Sequence, residues 1–206
     1  MGNKRVIYDL SLFSGVGGGI LGSKLIGFKT IGYVEYEPFC QKILRQRIKD
    51  GILDAAPIFG DIRRFIREGY AESYKGMVDV ITAGFPCQAF SVAGLQRGCD
   101  DERNMWPATL ECIQIIQPPM AFLENVPGLL GSTTGDSPEQ YLDEEPTGNV
   151  RYLGTILRDL SEAGYNARWG VLGADDVGAP HRRKRIWILA YTNGNNESTL
   201  PINDKR

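Results

Sequence analysis

The run Val80-Ile81-Thr82-Ala83-Gly84-Phe85-Pro86-Cys87-Gln88-Ala89-Phe90-Ser91 constrains this chain more than any other stretch. An apolar segment of strand formers stops abruptly at Gly-Phe-Pro, because proline brings no amide hydrogen to a ladder and glycine favours a turn. The pattern predicts a buried strand that hands Cys87 to a loop at its carboxyl end, where open α/β sheets keep their sites. Cys87 is thereby a candidate nucleophile, with a buried structural cysteine as the plain alternative.

The rest of the chain reads as units of the same kind. Strand formers from Arg5 to Phe13 lead into Ser14-Gly15-Val16-Gly17-Gly18-Gly19, and Ile20, Leu21 and Leu25 follow at helical spacing. Strand, glycine turn and helix make the first unit of a nucleotide-binding sheet, although the spacing is not the six-position dinucleotide fingerprint. Lys29 to Val34 predicts a second strand ending on Glu35 and Tyr36: the acid can accept hydrogen bonds from ribose hydroxyls, and the ring offers a flat face to an adenine. Phe39, Ile43, Leu44 and Ile48 mark an amphipathic helix. A short strand, Pro57 to Phe59, then delivers Gly60-Asp61-Ile62. Asp61 is placed to cap a helix over 63–70, to accept from an adenine amine, or to do both.

Val78 to Ala83 forms the fourth strand, and a helix over 104–117 ends at Pro118-Pro119. Met120 to Leu123 is the fifth strand, with Glu124-Asn125-Val126-Pro127-Gly128 directly beyond it. A carboxyl held before a Pro-Gly turn is positioned as a general acid must be. Residues 131–149 lack any period and read as a mobile insertion. A helix stripe of Leu153, Ile156, Leu157 and Leu160 stops at Gly164. Asn166 to Leu172 and Ile186 to Tyr191 read as a hairpin around the basic segment 178–185.

Length and composition bound the rest. With 206 residues and 42% hydrophobic content, the chain suits one compact domain. No apolar run has the length of a membrane span and no signal peptide opens the sequence, so a cytoplasmic protein is expected. The four cysteines show no Cys-x-x-Cys spacing and His181 is the single histidine, so neither disulfides nor a metal is expected. The net charge of -2 excludes a wholly cationic nucleic-acid coat, yet Arg182 to Arg185 form a compact basic run.

In their order these segments resemble the cytosine-C5 DNA methyltransferases over Val6 to about Ala190. Phe13-Ser14-Gly15-Val16-Gly17-Gly18 is similar to that family's first cofactor motif, Glu35-Tyr36 to its second and Asp61-Ile62 to its third. Gly84 to Ser91 resembles the catalytic Pro-Cys motif, Glu124-Asn125-Val126 the Glu-Asn-Val motif, and His181-Arg182-Arg183-Lys184-Arg185 the Gln-x-Arg-x-Arg motif. The resemblance implies an α/β, Rossmann-like S-adenosylmethionine-dependent fold: a mostly parallel seven-stranded sheet with one antiparallel strand and helices on both faces. It implies a catalytic domain over 1–191, with 192–206 as a polar tail.

The implied chemistry needs these residue types. Cytosine C5 is a weak nucleophile, so the Cys87 thiolate first adds at C6, and C5 then takes the methyl of S-adenosylmethionine, leaving S-adenosylhomocysteine. By resemblance Glu124 serves N3 and the exocyclic amine, Arg185 holds O2, and Arg183 steadies Glu124 or a phosphate. Phe13, Ser14, Gly15, Gly17, Gly18, Glu35, Tyr36, Asp61, Ile62, Pro86 and Met105, the last sharing its place with Trp106, surround the cofactor. Gln88 and Ser91 face double-stranded DNA, whose target base must be flipped out of the helix.

Two departures are small: Ser11 stands where an acid is usual, and His181 replaces glutamine. A larger one is that nothing after Tyr191 resembles a target-recognition domain, which takes about 50 residues or more. The expectation is a fragment, or one half of a split enzyme whose second polypeptide carries recognition; a short self-sufficient enzyme is the alternative, of bacterial, archaeal or phage origin in each case. A tRNA cytosine methyltransferase, a non-catalytic subunit with the same fold and a nicotinamide-dependent dehydrogenase are the competing functions. The last leaves Gly84 to Ser91 and Glu124 to Val126 unexplained.

Overall fold

The computed structural model describes residues 5–86, 104–130 and 152–192. Seven strands form one sheet: β1 (Ile7–Leu12), β2 (Phe28–Val34), β3 (Ile58–Phe59), β4 (Val80–Ala83), β5 (Met120–Asn125), β6 (Tyr165–Leu172) and β7 (Arg185–Thr192). Their order is β3-β2-β1-β4-β5-β7-β6. Strands β1 to β5 are parallel; β7 runs antiparallel to both β5 and β6, so it is the single reversed strand. The fold is therefore the expected mostly parallel α/β sheet, and its last two strands are the expected hairpin.

Helices follow the strands as crossover connections require. The order is α1 (Gly18–Leu25), α2 (Pro38–Lys49), α3 (Ile62–Arg67), α4 (Tyr70–Ser73), α5 (Trp106–Ile116) and α6 (Tyr152–Glu162). Two apolar clusters lie against the sheet. The smaller joins Ile20 of α1 and Leu44 of α2 to Tyr33 and Leu53. The larger joins Leu10, Leu12, Ile81, Leu123 and Ile188 of the sheet to Phe65, Ile113 and Ile156 of α3, α5 and α6. Leu123 has no solvent exposure, and truncating such a side chain typically costs about 2–5 kcal/mol. Among the described residues no helix is long and apolar enough to cross a membrane.

Several boundaries differ from the sequence expectation. Glu124 and Asn125 belong to β5, because β7 pairs with them through Trp187 and Ile186. The helix expected over 63–70 breaks into α3 and α4 at Gly69, whose φ of 76° no helix interior accepts. Leu25 is 88% exposed. In a helix as short as α1, packing runs through Ile20 and Ser23, and Leu25 stands well round the cylinder from them.

Candidate functional site

The carboxyl ends of β1, β2 and β3 converge on the glycine turn. The Glu35 carboxylate, buried at the end of β2, accepts from the Gly15 amide at 2.6 Å through Oε2 and from the Glu37 amide at 2.8 Å through Oε1. The first of these charge-assisted bonds fixes the turn against the second strand and the other fixes the carboxylate against its own chain, while each oxygen keeps further lone-pair capacity for a ribose. Gly17 carries φ of +91°, and a Cβ there would meet Leu53 Cδ1 at 3.0 Å. Leu44 of α2 would stand 3.3 Å from the same Cβ, and the left-handed backbone here suits glycine. Arg47 of α2 completes the clasp, donating to the Val16 carbonyl at 2.6 Å.

Phe13 adopts the left-handed region with φ of 52°, a conformation costly for an aromatic residue and concentrated at sites. The Ser14 hydroxyl lies 2.9 Å from the Ser11 carbonyl and 3.1 Å from the Ser11 hydroxyl, so Ser11 ties down the turn where the related motif usually has an acid. Gly18 opens α1. Asp61 caps α3, accepting from the Arg63 amide at 2.7 Å. It also lines a cavity of about 400 Å³ together with the 72% exposed Tyr36, Phe59, Gly60, Phe65 and Tyr70. That space suits a planar heterocycle. Ile62, by contrast, lies in the core.

A second group forms where β4 and β5 end and β7 begins. Glu124 Oε1 pairs with Arg185 Nε at 2.6 Å, with both side chains partly exposed. Of the two arginines, Arg185 is the one that pairs with Glu124, which leaves Arg183 with the other role expected of it, a phosphate. Strand β7 begins at Arg185, on the same face as Trp187, which sits opposite Glu124; Arg183 lies in the connection before the strand and is exposed. Gly84 is the floor of the pair, since a Cβ there would stand 3.2 Å from Glu124 Oε2. Asn125, which was not among the expected site residues, donates from Nδ2 to the Phe85 carbonyl at 3.1 Å and accepts from the Val126 amide at 2.8 Å. Its place in the Glu-Asn-Val triplet is the only sequence signal for it.

Pro86 is exposed just beyond β4. Cys87, Gln88 and Ser91 lie outside the described residues, as does the insertion expected over 131–149. Trp106 is buried against Phe85, with ring centroids 5.5 Å apart, and donates to Asp159 at 2.9 Å. Met105, half-buried, precedes it as the cap of α5 and accepts from Thr109. Of the two described cysteines, burial pushes the Cys112 thiol up to about 12, and burial with the nearby Glu35 and Glu37 raises that of Cys40. Neither has the depressed pKa of a nucleophile. Among the described residues no group of three His, Cys, Asp or Glu is placed to hold a metal.

Comparisons with known proteins point one way. A family model described as C-5 cytosine-specific DNA methylase matches residues 7–206. The type II methyltransferase M.NgoMIV of Neisseria gonorrhoeae is 32% identical over 185 residues, covering 90% of this chain and 52% of that protein. The type II methyltransferase M.AquIA of Picosynechococcus is 33% identical over 186 residues, covering 87% of this chain and 70% of the relative. Among solved structures, the Dnmt2 methyltransferase of S. pombe superposes with a TM-score of 0.64 at 19% identity, over 94% of this chain and 52% of that one. DNMT2 of Spodoptera frugiperda gives 0.65 at 18%, over 97% and 53%. At those identities the likeness speaks for the fold alone.

Proposed function

Given that the chain belongs to the C-5 cytosine-specific DNA methylases, we propose that it carries the cofactor-binding and catalytic half of an enzyme that methylates C5 of cytosine in double-stranded DNA. The observation that carries this reading is the pairing of Glu124 with Arg185 at the end of β5, beside the β4 end that leads to Cys87. A carboxyl and a guanidinium fixed together can serve N3, the exocyclic amine and O2 of one pyrimidine edge.

The cofactor is S-adenosylmethionine, whose sulfonium supplies an electrophilic methyl group when bound. The residues present fit it: Glu35 retains lone pairs for ribose hydroxyls, the Tyr36 ring stands beside a cavity of heterocycle size, and Asp61 opens into that cavity. Gly15, Gly17 and Gly18 let a ligand approach the backbone, Phe13, Ser14, Pro86 and Met105 close the surroundings, and Ile62 supports them from the core.

Cys87 adds its thiolate to C6 of a flipped-out cytosine, while Glu124 and Arg185 meet the pyrimidine edge at N3, the exocyclic amine and O2, where the charge displaced onto the ring gathers. C5, now nucleophilic, takes the methyl group; a base then removes the C5 proton, and the electrons of that bond expel the thiolate to restore the aromatic ring. Arg185 keeps Glu124 in place and faces O2, while Arg183 is left to a phosphate. Gln88 and Ser91 line the opened duplex.

The chain spans about half the length of M.NgoMIV and of the two solved structures. We assign DNA sequence recognition to protein outside these 206 residues, on the same or a second polypeptide. Transfer of tritiated methyl from S-adenosylmethionine to unmethylated duplex DNA tests the reading. Activity that disappears in Cys87→Ala, with cofactor affinity retained, is expected; equal transfer by the variant, or a preference for tRNA over DNA, overturns it.

A further inference from the structure

Strand β2 holds one residue more than β1 along the stretch they share. Asp9 of β1 pairs with Thr30, but Leu10 pairs with Gly32, so Ile31 is an extra residue in the ladder, a bulge. Its effect shows in where the side chains go. Thr30 donates to Asp9 and so shares its face, while Tyr33 pairs with Ser11, on that same face, and joins Ile20 of α1 and Leu44 of α2 in the smaller core cluster. Thr30 and Tyr33 stand an odd number of positions apart, a spacing that a regular strand of period two cannot place on one face. The bulge supplies the missing step. Glu35, beyond Tyr33 and Val34, inherits the corrected phase, and with it the direction of the Gly15 amide from which it accepts at 2.6 Å.

Tyr74, directly after α4, holds the extra residue where it is. Its hydroxyl donates to the Ile31 carbonyl at 3.1 Å, and its buried ring packs against Phe59 and Phe65. The same ring fills the space beside Gly32, where a Cβ would stand 2.5 Å from the Tyr74 hydroxyl oxygen and 2.8 Å from Leu10 Cδ1. Glycine at 32 and tyrosine at 74 are thus two parts of one device, the first leaving room for the second. We propose that Tyr74 is a positioning residue for the cofactor pocket, fixing the β2 bulge whose phase aims Glu35 at the glycine turn and at the ribose. It acts from the opposite face of the sheet, within the larger core cluster, whereas Tyr33 and the helices α1 and α2 lie on the other. This rests on the reading of Glu35 as a ribose acceptor and adds to it a residue remote from the ligand.

Tyr74→Phe removes the hydroxyl and keeps the ring, so it frees the Ile31 carbonyl without opening the core. The probes are S-adenosylhomocysteine and its analogue lacking both ribose hydroxyls, titrated by calorimetry into the full 206-residue chain, its Tyr74→Phe variant and, as the reference lesion, Glu35→Ala. Wild type is expected to prefer the hydroxylated probe by about tenfold or more, as hydrogen bonds to a carboxylate should give. In Tyr74→Phe that preference should fall by about threefold or more, and in Glu35→Ala it should nearly vanish. A contribution to stability alone would lower the urea midpoint, or weaken both probes alike, and leave the preference intact. A preference lost in Glu35→Ala but unchanged in Tyr74→Phe therefore overturns the proposal and spares the reading of Glu35. No preference in wild type, or one unchanged in both variants, overturns the two together.

Discussion

The two ends of the site hold their acids in opposite ways. At the β1–β3 end, Glu35 is buried and clamped by two backbone amides at 2.6 and 2.8 Å, so its position is set by the chain itself. At the β5 end, Glu124 is held by one side chain, Arg185, and about a third of it remains open to solvent. A carboxylate fixed by amides cannot lose its partners without the turn unfolding, whereas one fixed by a guanidinium can exchange that partner for a ligand atom. The first arrangement suits a standing cofactor pocket. The second suits a group that must meet a base arriving from outside, and the contrast predicts that lesions at the two ends separate cleanly into binding and turnover.

The largest effect belongs to the adjustable end. Glu124→Gln is expected to lower single-turnover methyl transfer by about a hundredfold to a thousandfold, the cost of removing one group aimed at developing charge. Cofactor affinity, measured by calorimetry, should stay within about twofold. A parallel loss of affinity would mean that the two ends are not separate, and the comparison would fail. At the clamped end the expected pattern is reversed: Glu35→Ala removes two charge-assisted bonds, worth roughly 1.5–3 kcal/mol each, and should weaken S-adenosylmethionine at least about tenfold. Glu35→Gln should fall between, since one amide oxygen still accepts from Gly15 or Glu37.

What could be read in advance follows the same division. The clamped end was legible because each acid or glycine stands directly after its own apolar run, and strand-end placement needs only local pattern. At the other end the geometry depends on pairings between segments far apart. Whether Arg183 or Arg185 meets Glu124 is settled by the β5–β7 register, which begins pairing Asn125 with Ile186 and leaves Arg183 in the connection. The Asn125 bond to Phe85 likewise exists only because β4 and β5 are neighbours. Leu25 was misleading for a different reason: an apolar residue in a short helix fits a stripe on paper, but α1 packs through a narrower face.

Asp9 links the two halves and gives the smallest but most pointed test. It is fully buried in β1, with Thr30 of β2 donating at 3.3 Å on one side and Thr82 of β4 at 2.8 Å on the other. Burial pushes its carboxyl up to about 6, against the opposing pull of those two hydroxyl bonds. Because the folded value lies above the unfolded one of 3.8, the folded chain binds more protons between the two. The stabilisation from the protonated acid is fully present below about pH 4 and is lost as pH rises through about 6. Asn at this position keeps the acceptor oxygen and never ionises. Asp9→Asn should therefore match wild type within a few tenths of a kcal/mol near about pH 3 and exceed it by about 3 kcal/mol at about pH 8, in urea melts run side by side. A difference that does not change with pH would mean that Asp9 stays ionised in the folded sheet, and that the two threonines, one from each half, suffice to hold a buried charge between them.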